Sequence, residues 1–246
     1  MNRTNARKRF SVIRNERLTA LTGAVLFVLI VTELVITANL HALISVHIFV
    51  GVLLAGPLMV KLGSTGYKFF RYYSGSSAYV ENGPPHILLR LLGPLVLITT
   101  LAVFISGFGL AIAGPAHEGL FFLAHAASVA MWLPLIAVHI YAHIRKVPRL
   151  ISEDLGNQPA NRVSGRAGRV YLNIGALIVG LIAAILMMPV SVPWDHFRIP
   201  NELPSPLVAG VMAAIFGVFV ATKLLPKSNP PKPRLPKTGN RFNREY

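Results

Sequence analysis

Six stretches of almost uninterrupted apolar residues constrain this chain more than any other feature. A bilayer core about 30 Å thick is crossed by roughly 20 helical residues, and backbone in lipid must satisfy its hydrogen bonds within a helix or a closed barrel. The stretches therefore predict an all-α, polytopic membrane protein. Its six predicted transmembrane helices cover residues 18–40, 42–62, 88–113, 120–144, 170–189 and 207–225.

The charged residues are segregated from these stretches. Only 13% of the chain is charged, against about a quarter in ordinary globular domains, yet the formal net charge is +15. The connections 114–119 and 190–206 hold Arg198 as their one basic residue, apart from histidines. The positive-inside rule thus predicts that both termini are cytoplasmic and that the protein lies in the cytoplasmic membrane. The same segregation disfavours a nucleic-acid partner. The basic segments are residues 1–17, 61–85, 145–169 and 226–246.

The segments outside the helices have distinct predicted roles. Residues 1–17 form a basic N-terminal segment, and residues 18–225 form the six-helix bundle. Residues 63–85 mix aromatic and basic side chains, which predicts a loop at the membrane interface. Residues 226–246 are rich in proline and basic residues, which predicts a disordered tail.

Cysteine is absent from the chain. This excludes disulfides, thiolate zinc sites, iron–sulfur ligation and covalent c-type haem attachment. The sequence also has neither a Walker-type phosphate loop nor a G-x-G-x-x-G fingerprint, which disfavours ATP-driven chemistry and nicotinamide binding within this chain.

Histidines within the predicted spans are the strongest functional signal, because ionisable side chains in hydrocarbon are costly. His125 and His139 lie fourteen residues apart on the fourth span. This spacing separates them by about 21 Å along the helix and turns them to nearly the same face. Each neutral imidazole could ligate a haem held between the helices of a bundle.

A six-coordinate haem needs a second imidazole at the same depth. His47, on the second span, lies roughly 10 Å below the predicted outer end, level with His125. The pair predicts an outer haem. Gly51 lies one turn below His47 on the same face, where it would leave room for a flat macrocycle.

A second haem is predicted nearer the cytoplasm. His86 begins the third span, and Arg90 and Gly93 continue its face with a cation for a haem propionate and a small residue beside the ring. The fourteen-residue spacing favours His139 as its partner. His143 lies nearer to the depth of His86 and is the alternative.

Glu33 is the remaining buried charge, about six residues from the predicted outer end of the first span and level with the outer histidines. We expect it to act as a proton acceptor at an outer quinone site or as a hydrogen-bond partner of a ligand imidazole. The alternative is a neutral carboxyl bonded to a neighbouring helix.

The fourteen-residue histidine spacing on one helix, with single histidines on two others, resembles the membrane di-haem cytochromes b. These include bacterial four-helix cytochromes b and the b-type subunits of formate dehydrogenases and nickel–iron hydrogenases. The resemblance covers residues 47–143. It implies that His47, His86, His125 and His139 are axial ligands of two b-type haems. It also implies electron transfer between quinone and a partner subunit. In the four-helix relatives another helix usually separates the second single-histidine helix from the two-histidine helix, whereas here they are consecutive.

Two functions therefore follow from the sequence. The first is a membrane b-type cytochrome, whose partners would be the lipid membrane, a quinone and a redox subunit. The alternative is a non-catalytic membrane subunit or small transporter whose histidines are structural.

Overall fold

The apolar stretches fold as helices, the form in which a single segment pairs its own backbone groups in lipid. The computed structural model describes residues 3–80, 87–117, 119–156, 163–197 and 205–225, and regular structure in these ranges is entirely helical. Six of the helices are long and apolar enough to cross a membrane, which confirms the predicted all-α, multi-pass membrane class. The helices are α1 (Arg3–Thr37), α2 (Leu40–Tyr73), α3 (Ser77–Val80), α4 (Ile87–Ala113), α5 (Gly119–His143), α6 (Lys146–Leu155), α7 (Arg166–Ser191) and α8 (Pro206–Leu224).

The first two helices are longer than predicted at one end of the bundle. Helix α1 begins at Arg3 rather than at residue 18, and α2 continues to Tyr73 rather than ending at residue 62. The prediction of a loop from residue 63 was therefore wrong: residues 63–73 contain no proline that would end the helix, and packing against α1 accompanies its continuation. The chain then turns into α3, whose Tyr79 is buried against Val12 of α1.

The predicted connection 145–169 contains a further helix. Helix α6 is amphipathic, and its buried residues Leu150 and Asp154 lie four positions apart on the face toward the bundle. Helix α7 begins at Arg166, four residues before the predicted start of that span. The predicted disordered tail, residues 226–246, lies outside the described residues.

The spanning helices pack as two groups of three. The first group contains α1, α2 and α7, and the second contains α4, α5 and α8. Small residues allow close approach within each group, as is common in membranes. A Cβ atom on Gly56 or Gly180 would collide with a backbone carbonyl across the α2–α7 contact. A Cβ atom on Gly210 of α8 would lie 2.7 Å from Leu133 Cδ1 of α5.

Contacts between the two groups are sparse, and a cavity of about 2280 Å³ separates their facing surfaces. We call one end of the bundle the basic end, because Arg17 of α1, Arg71 in the last turn of α2 and Lys146 just after α5 lie there. The opposite end is the far end. There, Trp194 is buried and donates from Nε1 to the Ala111 carbonyl of α4 at 3.4 Å, which joins the two groups.

Candidate functional site

The cavity between the two helix groups is lined by most of the site residues predicted from the sequence. Ordinary ligand pockets measure about 300–1,000 Å³, so this one could hold more than one small ligand. His86 lies outside the described residues, and its predicted role stays a prediction. The other predicted site residues all line the cavity: Glu33, His47, Gly51, Arg90, Gly93, His125, His139 and His143.

His47 and His125 face each other from opposite helix groups. Their ring centres lie 6.2 Å apart, and the ring planes make an angle of 65°. Both side chains are partly buried. The helical rise predicted that His47 on α2 and His125 on α5 lie at the same depth. In the structure the two rings lie next to each other.

Helix α4 fixes the orientation of the His125 ring. The ring Nδ1 donates to the Val103 carbonyl at 3.1 Å, with Ser106 Oγ as a second acceptor at 3.2 Å. Ser106 accepts because its own proton goes to the Ala102 carbonyl at 2.6 Å. Gly107 leaves space for the ring, since a Cβ atom there would lie 2.9 Å from His125 Cε1. These contacts favour the tautomer that carries its proton on Nδ1, which leaves Nε2 free to act as a ligand nitrogen.

A carboxylate performs the corresponding task for His47. Glu33 Oε1 of α1 contacts His47 Nδ1, and the two side chains are 15% and 23% exposed. Metal-ligating histidines usually donate their second ring nitrogen to a carboxylate or a backbone carbonyl. The backbone arrangement occurs at His125, and at His47 the Glu33 carboxyl group lies against Nδ1 without a hydrogen bond.

The separation of the outer pair would suit two ligands on opposite sides of one metal atom. Imidazoles bound through metal–nitrogen bonds of about 2 Å have ring centres roughly 6 Å apart, close to the observed separation. Haem needs only two protein ligands, because the porphyrin supplies four nitrogens. Gly51 and Gly93 both line the cavity, and a Cβ atom on either would meet nothing within 4 Å. Both glycines therefore have open space beside them, and their role in holding a macrocycle stays a prediction.

No protein-family model, curated protein or solved structure matches this chain. What the cavity can bind therefore follows from the residues that line it.

The second histidine pair lies on a single helix near the basic end. His139 and His143 stack with ring centres 4.6 Å apart and an angle of 28°. His143 Nδ1 donates to the His139 carbonyl at 2.9 Å, which leaves its Nε2 as the candidate ligand nitrogen. Both rings line the cavity, so either could ligate an inner haem.

Sequence reasoning missed Lys61 as a site residue. It lies on α2, lines the cavity and donates from Nζ to the Thr19 carbonyl of α1 at 2.8 Å. Lys61 follows His47 by fourteen residues, the same interval that separates His125 from His139. That repeated interval was the available signal, and it places a lysine at the depth of the inner histidines.

Proposed function

We propose that this protein is a b-type cytochrome of the cytoplasmic membrane that transfers electrons between quinone and a partner subunit through two bis-histidine haems. The observation that carries the proposal is the His47–His125 pair, with ring centres 6.2 Å apart and each Nδ1 against an oxygen acceptor. Structural histidines also pair their buried ring nitrogens, but that pairing does not require the two rings to face each other across a cavity.

The residues of the outer site divide the work of binding. His47 and His125 would supply the ligand nitrogens. The Val103 carbonyl holds the His125 ring with its Nδ1 protonated, and Glu33 would do the same for His47. Gly51 leaves the space along α2 that a flat group requires. When bound, haem supplies one-electron transfer at its iron.

The inner site is proposed on the same plan. His86 and His139 are its ligands, with His143 as the alternative to His139. Arg90 and Gly93 line the same cavity and supply a cation for a propionate and space for the ring. Because His125 and His139 are about 21 Å apart along α5, the two sites would carry electrons across most of the bilayer.

The visible spectrum of the purified protein tests this function. After expression with ample haem, the reduced-minus-oxidised spectrum should show the sharp α band of bis-imidazole b-type haem. A colourless preparation would contradict the proposal. It would favour the alternative of a non-catalytic subunit or small transporter with structural histidines.

Glu33→Gln should retain the outer haem and raise its midpoint potential. The amide preserves the shape of the side chain, but the lost negative charge no longer stabilises the oxidised iron through His47. If Glu33 also accepts a proton from quinol, quinol-driven reduction should become slower and less dependent on pH. Redox titration and stopped-flow reduction across pH measure the two effects.

Glu16→Gln is the matched control, because Glu16 is a carboxylate that lines the same cavity near the basic end. It should leave the outer midpoint potential unchanged. Wild-type potential and wild-type rates in Glu33→Gln would remove Glu33 from the mechanism.

A further inference from the structure

Lys61 places an ammonium group on the wall of the cavity, within a spanning helix. The side chain is partly buried, and its Nζ lies against Gly23 of α1, where a Cβ atom would be 2.9 Å away. Any larger residue at position 23 would therefore displace the ammonium. An ionisable side chain that lines a cavity between spanning helices is a candidate functional residue.

A polar scaffold holds Lys61 from the side of α1. Its Nζ donates to the Thr19 carbonyl at 2.8 Å, and Thr19 Oγ1 bonds to Ser64 Oγ at 3.0 Å. Asn15 Nδ2 donates to the Ser64 carbonyl at 2.9 Å. These bonds fix α1 against α2 around the lysine. They use one of its three ammonium donors and supply no negative charge.

The carboxylates that line the cavity are engaged elsewhere. Glu33 contacts His47, and Glu16 lies 3.0 Å from Lys146 Nζ and 4.0 Å from Lys68 Nζ. Among the described residues, no carboxylate lies within 4.0 Å of Lys61 Nζ. A buried charge is normally paired, so an anion from outside the chain would complete this site.

The depth of Lys61 in the bundle identifies the part of the cavity in which that anion would bind. Lys61 and His139 follow His47 and His125 by the same fourteen residues on helices that run in the same direction. The charge of Lys61 lies near enough to interact with both His139 and His143. The ammonium thus belongs to the inner site.

We propose that Lys61 binds a carboxylate of the ligand in the half of the cavity nearer the basic end. The inference rests on the proposed function, in which that carboxylate is a propionate of the inner haem. Two ammonium protons remain for the carboxylate after the bond to Thr19. Arg90, which lines the same cavity, was predicted from the sequence to pair with a haem propionate. Lys61 is a second cation for the same role.

Titration of apoprotein with haem and with haem dimethyl ester tests the proposal, because the ester lacks both carboxylates. The inner signal is the spectral component that survives in His47→Ala. Lys61→Met should weaken inner binding of haem by about 10- to 100-fold, the range expected for a charged hydrogen bond. It should leave binding of the diester unchanged. Lys61→Arg, which keeps the charge, should remain within a few-fold of wild type.

Each contrary result has its own meaning. Equal weakening of haem and diester by Lys61→Met would mean that the lysine only supports the bundle, and it would overturn the proposal. Unchanged haem binding in Lys61→Met would overturn it as well. The outer component reports whether the variant is folded. If wild-type protein takes up neither ligand, the proposed function fails and this inference fails with it.

Discussion

Replacing either His47 or His125 with Ala should remove the same one of two haem components. The two rings face each other at 6.2 Å from opposite walls of one cavity, so each variant loses half of one ligand pair. The two difference spectra should therefore look alike, although the residues lie on separate helices. Reduced-minus-oxidised spectra of the purified variants, with haem content per chain, measure the loss.

His117→Ala is a suitable control, because His117 lies in an exposed turn at the far end and does not line the cavity. It should retain both components. Different losses in His47→Ala and His125→Ala would mean that the two residues do not share a ligand. Full haem content in both variants would end the haem hypothesis for this pair.

The same measurement decides whether His139 or His143 is the inner ligand. His139→Ala should remove the second component and His143→Ala should retain it. The reverse pattern would move the inner ligand one turn toward the basic end. Because the two rings stack at 4.6 Å, each substitution also exposes its neighbour, and haem content decides between them better than affinity does.

The distribution of helix contacts indicates that a bound cofactor would also stabilise the bundle. Each helix group packs closely through small residues, but contacts between the groups are sparse. A ligand that fills the cavity would touch α2 and α5 together and would stabilise the assembled bundle by mass action. A ligand bound to both His47 and His125 would connect the two groups.

The spans were predictable because bilayer thickness fixes the length of apolar sequence that a helix needs. The matched depth of His47 and His125 was predictable for a similar reason, since the helical rise is constant. Helix ends beyond the membrane were not predictable in this way. The extension of α2 to Tyr73 and the separate helix α6 depend on packing against α1, which hydropathy does not encode.

The contacts between the site residues were harder to predict than the identity of those residues. Depth placed Glu33 level with His47, but the rotation of α1 about its own axis decides whether the two side chains touch. That rotation follows from packing against neighbouring helices. Lys61 was overlooked because it lies at the end of the predicted span 42–62 and was counted with the basic segment 61–85, where a cation needs no special explanation.

A buried ion cluster should dominate the stability of the basic end. Asp154 of α6 is 6% exposed and binds Arg169 of α7, with Nε to Oδ2 at 2.9 Å and a second contact from Nη2. Arg17 of α1 donates from Nη1 to the same carboxylate at 3.2 Å. One carboxylate thereby connects three helices. Burial alone would raise the pKa of Asp154, but the two guanidinium groups outweigh it and hold the pKa below its usual value.

Asp154→Ala should lower the free energy of unfolding by about 3–5 kcal/mol, because it leaves two guanidinium groups without their shared carboxylate. Glu153→Ala is the matched control on the preceding residue. Glu153 is 33% exposed and lies 3.7 Å from both Arg17 and Arg149, so its loss should cost only about 0–1 kcal/mol. Denaturant unfolding in detergent measures both, and equal effects would contradict a special role for Asp154.

The pH dependence of this difference identifies charge as its cause. A carboxyl whose pKa is lower in the folded than in the unfolded protein contributes its stability above the unfolded value, near 3.8, and loses it as the pH falls through the folded value. The gap between wild type and Asp154→Ala should therefore be constant near neutral pH and should narrow below about pH 4. A gap for Asp154→Ala that stays constant well below pH 4 would mean that Asp154 stabilises the bundle by packing rather than by charge.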